Sequence, residues 1–206
     1  MKLFDKIKNW FKKPELIPFP LYPSIGVNEL ENMAIILVAG SNKFTQWAMR
    51  YLHKWEYDVI FTHSFIHLEN GKCLNMGLTA YTEDIKDILS KSKKYLVISY
   101  RDTTGKMVRR GKKASYEIAG DKRYKYKIYD ILGFLYQGFK KIPILKNLIK
   151  PSERLNICSD LVADIYKYHM KHPLYKTVDD EEQTPNDLFT ISQPYPESRI
   201  SFLIVD

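Results

Sequence analysis

Cysteine is scarce: Cys73 and Cys158 are the only two in 206 residues, too few for a disulfide scaffold. Two free thiols in a reducing compartment are expected, and one bridge between them is the alternative. Long apolar runs are missing too; none approaches the ~20 residues of a membrane span. The opening "MKLFDKIKNWFKKP" has charges where a signal peptide has its apolar core, so no secretory leader is read there. No zinc-finger spacing and no aromatic RNA-binding segment occurs, and Lys far outnumbers Arg, which argues against sequence-specific nucleic-acid binding. Internal repeats and low-complexity tracts are also absent. The expected location is cytoplasmic or membrane-peripheral.

What is present points to one sizeable core. Hydrophobic residues make up 45% of the chain, with fifteen Tyr and ten Phe, enough for a single domain. The formal charge of +8 favours anionic partners such as a phospholipid surface or an acidic cell-wall polymer. Residues 1–13 read as a basic amphipathic helix, with Leu3, Phe4, Ile7, Trp10 and Phe11 opposite Lys2, Lys6, Lys8, Lys12 and Lys13. Such a helix can lie on an anionic bilayer or dock on protein, its own domain included. Residues 14–32 form a proline-rich connector, and 33–206 the main domain.

"MAIILVAG", Met33–Gly40, reads as a buried strand. A helix follows, with Phe44, Trp47, Ala48, Tyr51 and Leu52 on its inner face. "DVIFTHSFIHLENGKCLNMG" reads as a strand, a turn at Asn70-Gly71 and a returning strand. "TEDIKDILSKSKK" reads as a helix from Thr82, "YLVISYRD" as a strand, and "GKMVRRGKKASYEIAG" as a basic loop leading into a helix. Further helices are expected around Ile128–Leu135 and from Asn156 to His172, then an acidic loop, "VDDEEQTPNDLF", with its acids at Asp179–Glu182, and a final strand. This order gives an α+β fold with a mostly antiparallel sheet packed against helices.

Two distant stretches carry chemistry. Asn156 is a good N-cap, which puts Cys158 in the first turn of a helix. A thiolate is favoured there, and free backbone N–H groups at Cys158 and Ser159 can hold an oxyanion. Equally, Cys158 shares a face with Val162, Ile165 and His169 and reads as a buried structural cysteine. A cysteine nucleophile needs a base and the base an orienting group; His63 on the first hairpin strand and Asn75 on the second supply them. Strand alternation puts His63, Phe65 and His67 on one face. A two-residue turn would leave Asn75 on the other face. A three-residue turn, Glu69 to Gly71 with Gly71 left-handed, pairs Leu68 with Lys72 and sets Asn75 diagonal to His63; this register is the expectation.

In their order, "THSFIHLENGKCLN", Tyr129-Asp130, "NICSDLVADIY" and "TPNDL" (Thr184–Leu188) resemble the circularly permuted papain-like hydrolases. These are the permuted branch of the NlpC-like cysteine peptidase superfamily, which includes lecithin:retinol acyltransferase-like enzymes. The histidine strand precedes the nucleophile there, as here. The resemblance implies a papain-like domain and a thiol hydrolase or acyltransferase on amide or ester bonds of cell-wall or lipid substrates, without a cofactor. It implies Cys158 as nucleophile, His63 as base and Asn75 as third residue, a position where many relatives carry an acid. Residues 1–13 have no counterpart in that pattern.

Other assignments stay open. His67 could replace Asn75, and Tyr129 could line the oxyanion site or sit in the core. His63, His67, Cys73 and Cys158 lack a usual zinc spacing, so no metal is expected. Glu69 and Lys72 read as a cross-strand pair, and His53, His169 and His172 as surface residues. The rival function is a non-catalytic binding or structural module of the same fold. Its Lys-, Ile-, Tyr- and Asn-rich composition suits an AT-rich genome such as that of a phage, where the module would be a virion component.

Overall fold

"IILVA" is apolar without alternation because both sides of its strand are covered. The computed structural model describes residues 15–40, 43–51, 55–76, 79–90, 93–121, 158–178 and 183–205. The predicted helices at 1–13 and around Ile128–Leu135, the N-cap Asn156, His53, and the Tyr129-Asp130 pair lie outside the described residues.

The strands are β1 (Ser24–Ile25), β2 (Ile35–Ala39), β3 (Phe61–His67), β4 (Lys72–Met76), β5 (Ala80–Asp84), β6 (Tyr95–Tyr100) and β7 (Ser198–Leu203). They form one sheet in the order β1-β7-β6-β2-β3-β4-β5. Among these strands only β1 and β7 pair parallel; the other strand pairings are antiparallel. The helices are α1 (Lys43–Tyr51), α2 (Ile85–Ile88), α3 (Gly105–Gly120), α4 (Cys158–Asp164), α5 (Pro173–Lys176) and α6 (Pro185–Ser192). Helix α4 runs on as a π-helical stretch, Ile165–Met170, which Lys171 closes with a left-handed φ of 59°. The protein is therefore α+β with a mostly antiparallel seven-stranded sheet. No helix among the described residues is long and apolar enough to cross a membrane.

Side chains alternate along β2 to feed two cores. Ile35 and Leu37 join Leu96, Ile98, Leu74 and the helical residues Leu161, Val162 and Ile118 on one side. Ile36 and Val38 join Phe65, Cys73, Tyr95 and Val97 on the other. The larger core holds an aromatic knot. Phe189 of α6, fully buried, has the Phe19, Tyr57, Trp55 and Phe61 rings at 4.9, 5.9, 6.1 and 6.3 Å. Truncating such a ring removes its transfer energy and leaves a cavity. Phe189→Ala is expected to lose about 3–5 kcal/mol in equilibrium urea unfolding; a loss under about 1 kcal/mol would show that the knot is not a tight core.

Several expectations change. The proline-rich segment is extended but docked: Phe19 is buried in the knot, its N–H bonds Asp58 Oδ1 at 2.9 Å, and Ser24–Ile25 adds a strand to β7. Thr82 lies within β5, not at a helix start, because Leu74 pairs with it; the short α2 is capped by Asp84 instead. The stretch from Gly105 is helical throughout, capped by Thr104 Oγ1. Thr184 and Asp187 form a capping box that starts α6 where a loop was expected. Trp47, expected on the inner face of α1, is exposed, and Met49 is buried.

Candidate functional site

The hairpin has the expected three-residue turn. Leu68 and Lys72 close it, with Leu68 N–H donating to Lys72 O at 2.7 Å, and both Asn70 and Gly71 have positive φ. Ile66 pairs with Leu74 and His67 with Cys73, so Asn75 falls opposite Phe65, diagonal to His63 and on its face. Glu69 and Lys72 do not pair with each other: Glu69 holds Lys112 of α3, and Lys72 lies 3.6 Å from Asp84. The reason is that Leu68, not Glu69, faces Lys72 across the turn.

His63 Nε2 meets Asn75 Oδ1 at 2.6 Å. A carbonyl oxygen only accepts, so Nε2 carries the proton and Nδ1 is left as the basic nitrogen. Asn75 is buried and uses every polar atom of its amide. Oδ1 also accepts from Met76 N–H at 2.8 Å, and Nδ2 donates to Tyr81 Oη at 3.1 Å and Glu83 Oε2 at 2.9 Å. Tyr81 and Glu83 stand on β5 opposite Asn75 and Cys73.

Cys158 is the first described residue of α4, which packs on β3. Its side chain is hydrogen-bonded to His63. Burial by itself would push the His63 pKa down. The charge of Cys158, the hydrogen bond to it and the hydrogen bond to Asn75 outweigh burial and a smaller effect of Lys93, and raise the pKa to about 9. Cys73 is also buried, but faces acids: burial first, then Asp84 and Glu83, push its thiol up to about 12.

The surroundings brace this arrangement. Asn186, buried on α6, grips the Phe61 backbone twice, accepting from its N–H at 3.0 Å and donating to its carbonyl at 2.8 Å. That fixes β3 two residues before His63. The register shifts between Val38 and Ala39 beside His63. Gly40 permits the close crossing there, since a Cβ on it would lie 2.0 Å from Thr62 Oγ1. The Ser159 hydroxyl donates to Gln183 O, and Asp160 Oδ1 accepts from Gln183 N–H at 2.5 Å, tying α4 to the start of α6. Any oxyanion role of Ser159 thus belongs to its backbone N–H.

The chain matches no protein-family model and no curated protein.

His67 is not part of it. Its Nδ1 turns to the Glu31 carbonyl at 2.9 Å and the ring is buried, so it does not replace Asn75. Among the described residues no set of His, Cys, Asp and Glu side chains converges as a metal site. His169 is exposed as expected. His172 is not a surface residue: it is fully buried among Tyr100, Tyr166, Tyr175 and Tyr195, with Nε2 3.1 Å from Asp102 Oδ1. Burial lowers its pKa against the opposing pull of Asp102. Its position after the left-handed Lys171 turns it inward, which helix periodicity could not show. A cleft of about 420 Å³ lined by Glu31, Ser99, Tyr100, Thr103 and Tyr166 among others includes none of Cys158, His63 and Asn75.

Sequence reasoning missed Tyr81, Glu83 and Asn186. Glu83 lay in a segment read as a helix start, and Tyr81 just before it. Asn186 was noted only as part of "TPNDL", with no partner assigned.

Proposed function

We propose that the protein is a thiol hydrolase or acyltransferase, papain-like in its chemistry, with Cys158 as nucleophile, His63 as base and Asn75 as the residue that orients His63. The supporting observation is His63 itself, hydrogen-bonded to Cys158 and Asn75, its proton affinity raised through Cys158 despite burial. A neutral ring with its proton on Nε2 takes the Cys158 proton on Nδ1. The sulfur bonds to the carbonyl carbon of an amide or ester, and backbone N–H groups at Cys158 and Ser159 take the oxyanion. His63 then protonates the leaving amine or alcohol as its bond to carbon breaks, leaving a thioester. Water, or another acceptor, gives a proton back to His63 as it attacks, and Cys158 is restored. The formal charge of +8 favours an anionic polymer or a membrane-surface lipid as the substrate.

A second reading has one specific observation in its favour. Cys158 is only 1% exposed and belongs to the larger core, as in a binding or structural module of the same fold.

p-Nitrophenyl acetate separates the two. The enzyme reading expects release of p-nitrophenol with acetate first on Cys158, found by peptide mass spectrometry. Cys158→Ser should abolish it and His63→Ala slow it by about 10²–10⁴-fold. Acetylation no faster than that of a surface lysine, and indifferent to His63, would support the module.

A further inference from the structure

We infer that Glu83 is a positioning residue that sets the tautomer of His63 through Asn75, an inference that rests on the proposed thiol chemistry. An asparagine amide has two faces of nearly equal shape but opposite hydrogen-bonding sense. Turned one way, Asn75 gives His63 an acceptor, so Nε2 keeps its proton and Nδ1 can serve Cys158. Turned the other way, it offers His63 an NH₂ group. The ring would then move its proton to Nδ1, the nitrogen needed as base, and the doubly protonated ring would face a donor at Nε2.

Three contacts surround the amide, and the two of fixed sense decide between these states. A carboxylate only accepts, so Glu83 Oε2, 2.9 Å from Asn75 Nδ2, demands the NH₂ on its side. Tyr81 Oη accepts from the same NH₂ at 3.1 Å, and its own proton goes to Glu83. Met76 N–H demands the Oδ1 at 2.8 Å. A flipped amide would set Oδ1 against the Glu83 carboxylate and the NH₂ against the Met76 N–H, losing both contacts, whereas the Tyr81 hydroxyl, donor and acceptor alike, can follow either sense. Glu83 reaches His63 through Asn75, whose Nδ2 it holds while Asn75 Oδ1 meets His63 Nε2. An asparagine in the third position lacks the charge of an acid. Glu83 puts that charge one hydrogen bond further out, where it orients the amide.

The test compares Glu83→Ala with Glu83→Gln in the full chain. Both remove the charge, but glutamine keeps an oxygen able to accept from Asn75 Nδ2. The first readout is the ¹⁵N imidazole shifts of His63 across pH, which report its tautomer and titration whether or not Cys158 is a nucleophile. The second is the iodoacetamide rate at Cys158. Glu83→Ala is expected to bring in the Nδ1–H tautomer and lower the His63 pKa by about one unit, a tenfold loss of proton affinity. Cys158 labelling should slow by a similar factor, and Glu83→Gln should stay within about twofold of the parent on both readouts. Unchanged ¹⁵N shifts in Glu83→Ala would overturn the inference. Equal effects of Ala and Gln would overturn it too, by showing a charge effect and no positioning. If the ¹⁵N response appears but Cys158 is unreactive in the parent protein, positioning stands and the thiol chemistry falls.

Discussion

Replacing Cys158 by serine is expected to lower the His63 pKa from about 9 to below its ordinary 6.5, more than a hundredfold in proton affinity. Burial is the largest influence on this ring and acts downward; the charge of Cys158 and the hydrogen bond to it act upward. A serine hydroxyl stays neutral at these pH values, so the substitution removes the upward charge and leaves burial nearly unopposed. The hydrogen bond to Asn75 is the smaller upward influence and does not restore the balance. In the parent protein His63 should therefore still carry its second proton at about pH 8, and in Cys158→Ser it should be neutral there. The Cε1–H resonance of His63 reads this directly. A His63 that titrates near 6.5 in both proteins would mean that the sulfur and the imidazole are not electrostatically coupled.

Alkylation should separate the two thiols as sharply. Both are buried, Cys73 fully and Cys158 to 1% exposure, so neither is favoured by access. With its thiol near 12, Cys73 has a thiolate fraction on the order of 10⁻⁵ or less at about pH 6.5. An imidazolium beside Cys158 favours its ionised form. Intrinsic nucleophilicity runs the other way, by about threefold for each unit of thiol pKa, too little to offset the difference in thiolate. Iodoacetamide at about pH 6.5 should label Cys158 at least a hundredfold faster than Cys73, as read by mass spectrometry of the two peptides.

The parts of the site that depend on short-range rules were legible in the sequence. The Asn70-Gly71 turn and strand alternation give the hairpin register, and with it the meeting of His63 and Asn75. The long-range parts were not. Glu83 reaches Asn75 only because β5 pairs with β4, and the residues of β5 carry a helix-start pattern, Thr-Glu-Asp, that pairing overrides. Asn186 grips Phe61 across 125 positions, a contact with no local signal. The start of helix α3 reads as a basic loop, since Lys106, Arg109, Arg110, Lys112 and Lys113 crowd it. Its inward face of Gly111, Ala114, Ser115 and Ile118 decides the matter. The docked Phe19 shows the same limit, since proline content describes a backbone and says nothing of the pocket one ring can fill.

The proposed chemistry makes Cys158 and His63 a reactive thiolate–imidazolium pair. Its most direct test is the rate of Cys158 alkylation across a pH series in the parent protein, in His63→Ala and in the control His169→Ala, whose histidine is exposed. His63→Ala is expected to slow Cys158 labelling at least tenfold at about pH 6.5 and to move the inflection of the series upward toward that of an unassisted thiol, while His169→Ala should change neither. A Cys158 that reacts no faster than Cys73 and is indifferent to His63 would contradict the pair and leave the fold as a non-catalytic module.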